Sequence, residues 1–320
     1  MGCLVWVVGT LVSLILMSAW GSIVIPWHWW TSPVGLLNLV ATHTLLGLMV
    51  YCYHATITTC PGRVPHGWIP AGATAEALQK AIEEEEEYRR VKRRRGRGRV
   101  RVFEKGAPRY CGRCQEFKPP RSHHCSDCGL CTLKMDHHWV DNCVGQANHK
   151  TFILFLVYAI VGMTYACVLF TLRLIDIVQL FATITRTKNA VPDPLSMEPP
   201  LPGETDMRWP AIHMAVCALN LIVVVPLVLS LLCLLGYQLG LLTENVTTIE
   251  DFERELLKKK ARREGKTFTW TYDMGNWRDN CRQVMGQDIK RWLLPCPSLN
   301  DPDLSMLDSK DTDLLSVRVE

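Results

Sequence analysis

The sequence predicts an all-α polytopic membrane protein in which four transmembrane helices carry a small cytosolic Cys-rich domain between helices 2 and 3. Three observations predict it. Uncharged apolar stretches run over 1–30, 34–57, 151–172 and 211–243, and each exceeds the roughly 20 residues needed to cross a bilayer core. Six cysteines and four histidines crowd into Cys111 to Cys143. Lys and Arg are distributed unevenly between the apolar stretches: 18 fall within 58–150 and 13 beyond Thr243, against 3 in 174–210 and none in 26–33. Cytosolic segments near helix ends keep the excess of basic residues, so the Cys-rich run and both termini are expected in the cytosol.

The four spans are expected near 3–25, 34–57, 151–173 and 211–242. The first has no Lys or Arg ahead of its apolar region and is too long for a cleaved signal peptide, so it reads as a signal anchor. Residues 1–57 thus hold helices 1 and 2, and 151–243 hold helices 3 and 4. The lumenal loop between the latter carries Pro192, Pro194, Pro199, Pro200, Pro202 and Pro210 and reads as a connector. His28, His43, His54, Asn38 and Asn220 are polar groups in apolar surroundings, and hydrogen bonds between helices account for uncharged ones. Pro226 is expected to kink the fourth helix. Asn245-Val246-Thr247 matches a glycosylation sequon, but on this topology it never meets the lumenal machinery.

Residues 58–107 read as a cytosolic linker. It opens on Cys60-Pro61-Gly62-Arg63-Val64-Pro65-x-Gly67-Trp68 and continues into an exposed helix over 74–95, where Glu83 to Glu87 precede a basic run. Glu85–Arg89 and Glu86–Arg90 then pair at i,i+4, and Gly96 and Gly98 end the helix. The arm from Arg89 to Arg101 reads either as a contact with lipid headgroups or an acidic partner, or as a solvated arm. It has no interleaved aromatics for base stacking, so no nucleic-acid partner is expected. The net charge of +4 sums over compartments and points only to a cytosolic face attracted to anionic lipid.

Residues 108–150 form the Cys-rich domain. Thiolates and imidazoles at CxxC intervals would be a reactive liability unless held by zinc in closed tetrahedral sites; the other reading of such a run, a disulfide framework, is rare on the reducing cytosolic side. Eight ligands suit two structural zinc ions. Beyond helix 4, residues 244–290 contain Thr247-Thr248-Ile249-Glu250, Tyr272-Asp273-x-Gly275 and Asn280-x-Arg282-Gln283-Val284-x-Gly286. Taken alone, the first of these is an N-cap for a helix over 251–263. The segment 291–320 is an acidic, Ser-rich tail expected to be disordered; its Asp311-x-x-Leu314-Leu315 matches a sorting pattern that mostly arises by chance.

The order and spacing of Cys111-x2-Cys114, Lys118-Pro119-x-Arg121-x-His123-His124-Cys125-x2-Cys128-x2-Cys131, Met135-Asp136-His137-His138 and Trp139-x2-Asn142-Cys143-Val144-Gly145 resemble the DHHC protein S-acyltransferases, or palmitoyltransferases. The resemblance extends to the Pro-Gly segment after helix 2, the TTxE motif and the C-terminal segment, and covers roughly 1–290. It implies that Cys111, Cys114, His124 and Cys131 hold one zinc and Cys125, Cys128, His138 and Cys143 the other. It implies a two-step transfer in which a cysteine takes a fatty acyl chain from acyl-CoA, typically palmitoyl-CoA, and passes it to a cysteine of a membrane-associated client protein. His137 would be the base, Asp136 its orienter, and Thr248 would hold Asp136. Thr247, Glu250 and Asn280 would support the site, and Lys118 and Arg121 would meet the phosphates of CoA. An endoplasmic reticulum or Golgi membrane is the family expectation.

One departure matters. The family's second His is followed by Cys-Pro and then Trp, whereas here Trp139 follows His138 directly, so the nucleophilic thiol is absent. Cys143, Cys60 and Cys3 are the nearest substitutes, and Cys143 is already a zinc ligand by resemblance. Three readings stand: an S-acyltransferase whose two codons were lost at a misplaced splice boundary or in sequencing, a catalytically dead pseudoenzyme that still binds acyl-CoA or clients, and a membrane-anchored zinc module of the ubiquitin-ligase or adaptor type. The last needs a longer gap between ligand pairs than this sequence has.

Overall fold

Apolar stretches this long satisfy every backbone group internally only as helices, and helices they are. The computed structural model describes residues 3–95, 108–189 and 208–296, in two compact units. The first comprises Met1–Met49 with Leu156–Leu234, and the second Val50–Phe155 with Leu235–Glu320. The prolines from Pro192 to Pro202, the two glycines after the basic helix, the far part of its arm and the tail beyond 296 lie outside the described residues, while the two ends of the expected connector are helical: one helix continues to Asn189, past the span end expected at 173, and the next begins at Arg208 and includes Pro210.

Helix α1 covers Cys3–Ala19 and continues as a π-helical turn over Trp20–Val24. Helix α2 (Pro33–Thr58) begins on a Ser32 side chain that accepts from Gly35 N at 3.0 Å, with Pro33 in the first turn. A capping serine followed by Pro is a favoured helix start, because Pro lacks the amide that would otherwise go unpaired. Helices α4 (His149–Asn189) and α5 (Arg208–Thr243) complete the apolar set, and α5 stays helical through Pro226. The stretches Pro33–Thr58, His149–Arg186 and Arg208–Thr243 are long and apolar enough to cross a membrane. The helix expected over 3–25 is present as Cys3–Ala19 followed without a break by the π turn Trp20–Val24. In the first unit Arg173 Nε donates to the carbonyl of Ser22 at 2.9 Å there.

The first unit packs Ile23, Val24, Leu169, Phe170 and Cys217 into a core while Leu37, Leu219 and Ile222 face outward, each more than 60% exposed. Apolar side chains on both faces are what a helix bathed in lipid needs. The polar groups buried in this unit find one another: Tyr165 donates to Asn38, and Ser18 Oγ donates to Asn220 Oδ1 at 3.0 Å. Interhelical hydrogen bonds of this kind account for them without a ligand.

In the second unit, α3 (Ala75–Arg95) starts on Thr74, whose hydroxyl accepts from Ala77 N at 3.3 Å. The Cys-rich domain is the part that departs from an all-α fold. It holds three two-stranded antiparallel hairpins, β1 (Arg109–Cys111) with β2 (Glu116–Lys118), β3 (His123–His124) with β4 (Cys131–Thr132), and β5 (His137–His138) with β6 (Cys143–Val144). Strands of two or three residues bury almost nothing and are not stable alone; something else must hold them. Part of it is the Cys60-Pro61-Gly62 segment: Leu133 N donates to Gly62 O at 2.8 Å and Ala147 N to Pro61 O at 3.2 Å. Gly145 permits this approach, since a Cβ there would sit 2.6 Å from Pro61 O. Asn142 and Asn148 side chains cap the carbonyls at the end of α2, with Asn148 Nδ2 donating to Thr56 O at 3.0 Å. Helices α6 (Thr248–Arg263) and α7 (Trp277–Met285) follow α5.

Candidate metal centres and the Asp136 site

The hairpins are knuckles that present ligands to two clusters, the middle one serving both: His124 and Cys131 on its strands face one cluster, Cys125 and Cys128 in its turn the other. In the first, His124 Nδ1 lies 3.6 Å from Cys111 Sγ, 3.2 Å from Cys114 Sγ and 4.0 Å from Cys131 Sγ. In the second, His138 Nδ1 lies 3.9 Å from Cys125 Sγ, 3.6 Å from Cys128 Sγ and 3.9 Å from Cys143 Sγ. Zinc bonds of about 2.3 Å to sulfur and about 2.1 Å to nitrogen imply tetrahedral edges of roughly 3.6 to 3.8 Å, so both clusters have the dimensions of a closed zinc site. Every one of these cysteines is free of disulfides, which removes the disulfide alternative. The pairing is the interleaved one implied by resemblance, Cys111, Cys114, His124 and Cys131 against Cys125, Cys128, His138 and Cys143. A closed Cys3His set has no open position, so its chemistry is to staple the hairpins.

The stapled domain docks through charge onto the chain that follows α5. Thr247 and Glu250 form a capping box at the start of α6, in which Glu250 N donates to Thr247 Oγ1 and Thr247 N to Glu250 Oε2. Such a box fixes the Glu side chain, and here it aims it at Arg121. That guanidinium, buried and at φ 61°, donates from Nε to Glu250 Oε1 at 2.6 Å and from Nη2 to Glu250 Oε2 at 2.7 Å. It also donates to Asn245 and lies 4.5 Å from the Tyr272 ring centre. Burial alone would push the Glu250 carboxyl up, but Arg121 holds it below its ordinary value. Arg121 was expected at the phosphates of CoA; its fork is committed to Glu250 and Asn245 instead.

Asn245 matters far beyond its sequon. Its Oδ1 accepts from Arg121 and from Lys134 Nζ at 2.9 Å, and its Nδ2 donates to Tyr272 O at 2.8 Å. A buried amide so engaged has no place for a glycan. Asn280 donates to Thr243 O at 2.7 Å and to Asp273 Oδ1 at 2.8 Å, closing the end of α5. Lys134, fully buried, has its ammonium pushed down to about 7 by burial and by Arg121.

Asp136 is fully buried and accepts four donors. Thr248 supplies its amide at 2.7 Å and its hydroxyl at 3.1 Å, Gln238 its amide at 3.2 Å, and Trp139 its indole Nε1 at 2.7 Å. His137 is not among them: it is exposed, and its ring lies against that of Trp139 with centroids 5.0 Å apart and planes tilted by 47°. With no residues between His138 and Trp139, the indole reaches the carboxylate that the resemblance assigns to orienting His137. Gln238 and Trp139 escaped sequence reasoning because a Gln within an apolar helix and a Trp after a His pair carry no local sign of an Asp136 contact. Lys118, half-buried, lines a cleft on the first knuckle; burial and Arg109 push its ammonium down. His123 beside it is pushed down to about 3 by burial, then by Arg109 and Lys118.

Among the described residues, three apolar helices long enough to span a bilayer, two Cys3His clusters on hairpin knuckles and a buried carboxylate held by Thr248 define a membrane-protein scaffold with a zinc-knuckle domain. The model of the DHHC palmitoyltransferase family matches residues 104–255. A probable protein S-acyltransferase 13 of Arabidopsis thaliana is 32% identical over 272 residues, covering 84% of this chain and 75% of that protein. Probable protein S-acyltransferase 12 of the same plant is 31% identical over 93% of this chain and 86% of its own length, and mouse palmitoyltransferase ZDHHC2 is 32% identical over 80% and 62%. The chain belongs to the DHHC palmitoyltransferase family.

Proposed function

We propose that this protein is built to transfer a fatty acyl chain from acyl-CoA to cysteines of membrane-associated proteins, and that the sequence as it stands holds the scaffold of that transfer without its nucleophile. In the complete reaction a thiolate attacks the acyl-CoA thioester, CoA leaves as its thiolate, and a client cysteine then takes the acyl group and frees the enzyme thiol. Asp136 and His137 would serve the proton transfers, Thr247, Thr248, Glu250 and Asn280 would hold the site, and the two zinc ions would only brace it. Lys118 would meet the CoA phosphates. In the first unit an apolar cavity of about 110 Å³, bounded by Ile15, Trp20, His43, Tyr165 and Phe170 among others, is of the character an acyl chain requires. Four spans, a cytosolic Cys-rich domain with both termini, and an endoplasmic reticulum or Golgi membrane complete the reading; the Lys and Arg distribution supports the orientation.

The observation that carries it is the survival of every element around a missing Cys-Pro pair. The Asp136 to Trp139 bond favours a second reading, a pseudoenzyme that binds acyl-CoA or clients and transfers nothing. Hydroxylamine-sensitive autoacylation with a clickable fatty acyl-CoA separates the two. The chain with Cys-Pro inserted between His138 and Trp139 is expected to label and the parent to stay unlabelled. Failure of both to label leaves the pseudoenzyme; labelling of the parent, lost in His137→Ala, overturns the account of the missing thiol.

A further inference from the structure

Helix α3 and the first zinc knuckle together build a strongly basic cleft of about 760 Å³. Glu85, Arg89, Lys92 and Arg93 fall on one face of α3, at i, i+4, i+7 and i+8, and this face turns toward Arg109, Arg113 and Lys118 of the knuckle. The approach is specific: Arg89 Nη1 donates to Gly112 O at 2.5 Å, and a Cβ on Gly112 would sit 2.7 Å from that nitrogen. A larger residue at Gly112 would displace the Arg89 side chain from this contact. Six cations meet two carboxylates, Glu85 and Glu253, around the cleft. Its floor holds two buried polar atoms without a hydrogen-bond partner, Ser122 Oγ and His123 Nε2, and Ser122 is fully buried. Cations gathered over unpaired buried polar atoms are a receptor for a ligand rich in oxygen acceptors and negative charge.

We propose that α3 is part of the polyphosphate site, with Lys92 and Arg93 as ligands added to Lys118 from a helix outside the zinc domain. This rests on the reading that the protein takes acyl-CoA, whose 3′-phosphorylated ADP moiety is the polyphosphate in question. Lys92 and Arg93 are exposed to solvent, so their attraction is screened by salt, and the added helix sharpens affinity for a dense cluster of phosphates over a single one. The acidic run Glu83–Glu87 and the basic run on the same helix thereby have different duties: Glu86 pairs with Arg90 at 3.6 Å, while Arg89, Lys92 and Arg93 line the cleft.

The test is equilibrium binding of free CoA to the detergent-purified full chain, which requires no nucleophile, with inositol trisphosphate as a second probe. Lys92→Glu/Arg93→Glu exchanges two exposed side chains and leaves the Arg89 to Gly112 contact in place. It is expected to weaken CoA on the order of tenfold at low salt, with a smaller loss at high salt, and Lys118→Ala is expected to weaken CoA as well. If Lys118→Ala weakens CoA and the double reversal binds as the parent does, α3 is no part of the site and the acyl-CoA reading stands. If neither variant changes CoA binding, both fall. Binding of inositol trisphosphate by a parent that does not bind CoA would assign the cleft to a lipid headgroup and overturn the proposal.

Discussion

The two zinc clusters and the Asp136 site lie within a few residues of each other in sequence and answer the same lesion in opposite ways. Between His138 and Cys143 only four residues remain, and the second cluster still closes, with His138 Nδ1 3.9 Å from Cys143 Sγ. A metal site asks only that its donor atoms converge, and a β-knuckle can do that with a shorter loop. The acyl-transfer site asks for one sulfur at one place. In this chain that atom is absent, and the Trp139 indole donates to the Asp136 carboxylate at 2.7 Å. Structure held by convergence tolerates deletion, whereas chemistry held by position does not.

The sharpest way to break this comparison is to open a metal site. Cys143→Ser removes the ligand at the far end of the shortened loop, and structural zinc in small domains is worth on the order of 10 kcal/mol of apparent folding free energy. The variant is expected to lose about half of its bound zinc and to expose the 108–150 segment to protease, as measured by metal analysis and limited proteolysis. Retention of both zinc ions would mean the shortened loop had already released Cys143. Next in size is the docking pair: Glu250→Ala leaves the Arg121 guanidinium buried and unpaired, a loss of about 3 to 5 kcal/mol. It is expected to lower the melting temperature in detergent by many degrees while zinc stays bound, which would separate docking from stapling. A parent-like melting temperature would show that Arg121 had found water or another acceptor.

Smaller again is Trp139→Phe, which deletes the indole donor to the Asp136 carboxylate. A hydrogen bond to a charged group contributes about 1.5 to 3 kcal/mol, so stability is expected to fall by about 2 kcal/mol by denaturant titration, with both zinc ions retained. The same substitution in the chain carrying the inserted Cys-Pro sharpens the comparison. If the insertion returns Asp136 to His137, Trp139→Phe costs less there than in the parent; an equal loss in both chains would mean the indole holds the carboxylate regardless of the deletion.

Much of this was legible in the sequence, and what was not has one physical cause. The apolar stretches and the eight metal ligands announce themselves because helix length and CxxC spacing are local properties. The docking network joins residues more than 100 positions apart: Arg121 with Glu250, Lys134 with Asn245, Asp136 with Gln238. A single sequence offers no signal for such pairs, so Asn245 read as a sequon and Arg121 as a phosphate ligand. The first span was legible as a helix, but its closing π turn was not. Its composition continues smoothly through Trp20 to Val24, and only the tertiary environment shows the helix opening into a π turn there. The hairpins escaped because strands of two residues carry no alternation to read.

The docking surface also leaves a signature in pH. Lys134 is buried, and its ammonium is pushed down to about 7 from an ordinary value of 10.5, by burial first and then by Arg121. Between those two values the unfolded chain holds a proton on Lys134 that the folded one has released, so stability rises with pH across that window and levels off below about 7, where both states are protonated. The slope from one such group approaches about 1.4 kcal/mol per pH unit. Lys118, pushed down by burial as well, contributes in the same direction but sits on the cleft, away from Asn245. Lys134→Met is therefore expected to flatten the rise between pH 7 and 10 without abolishing it, and to leave the zinc content unchanged, as read from melting temperatures across a buffer series. An undiminished slope in Lys134→Met would place the titration elsewhere and mean that Lys134 stays charged, with its proton held by Asn245 and the neighbouring carboxylates.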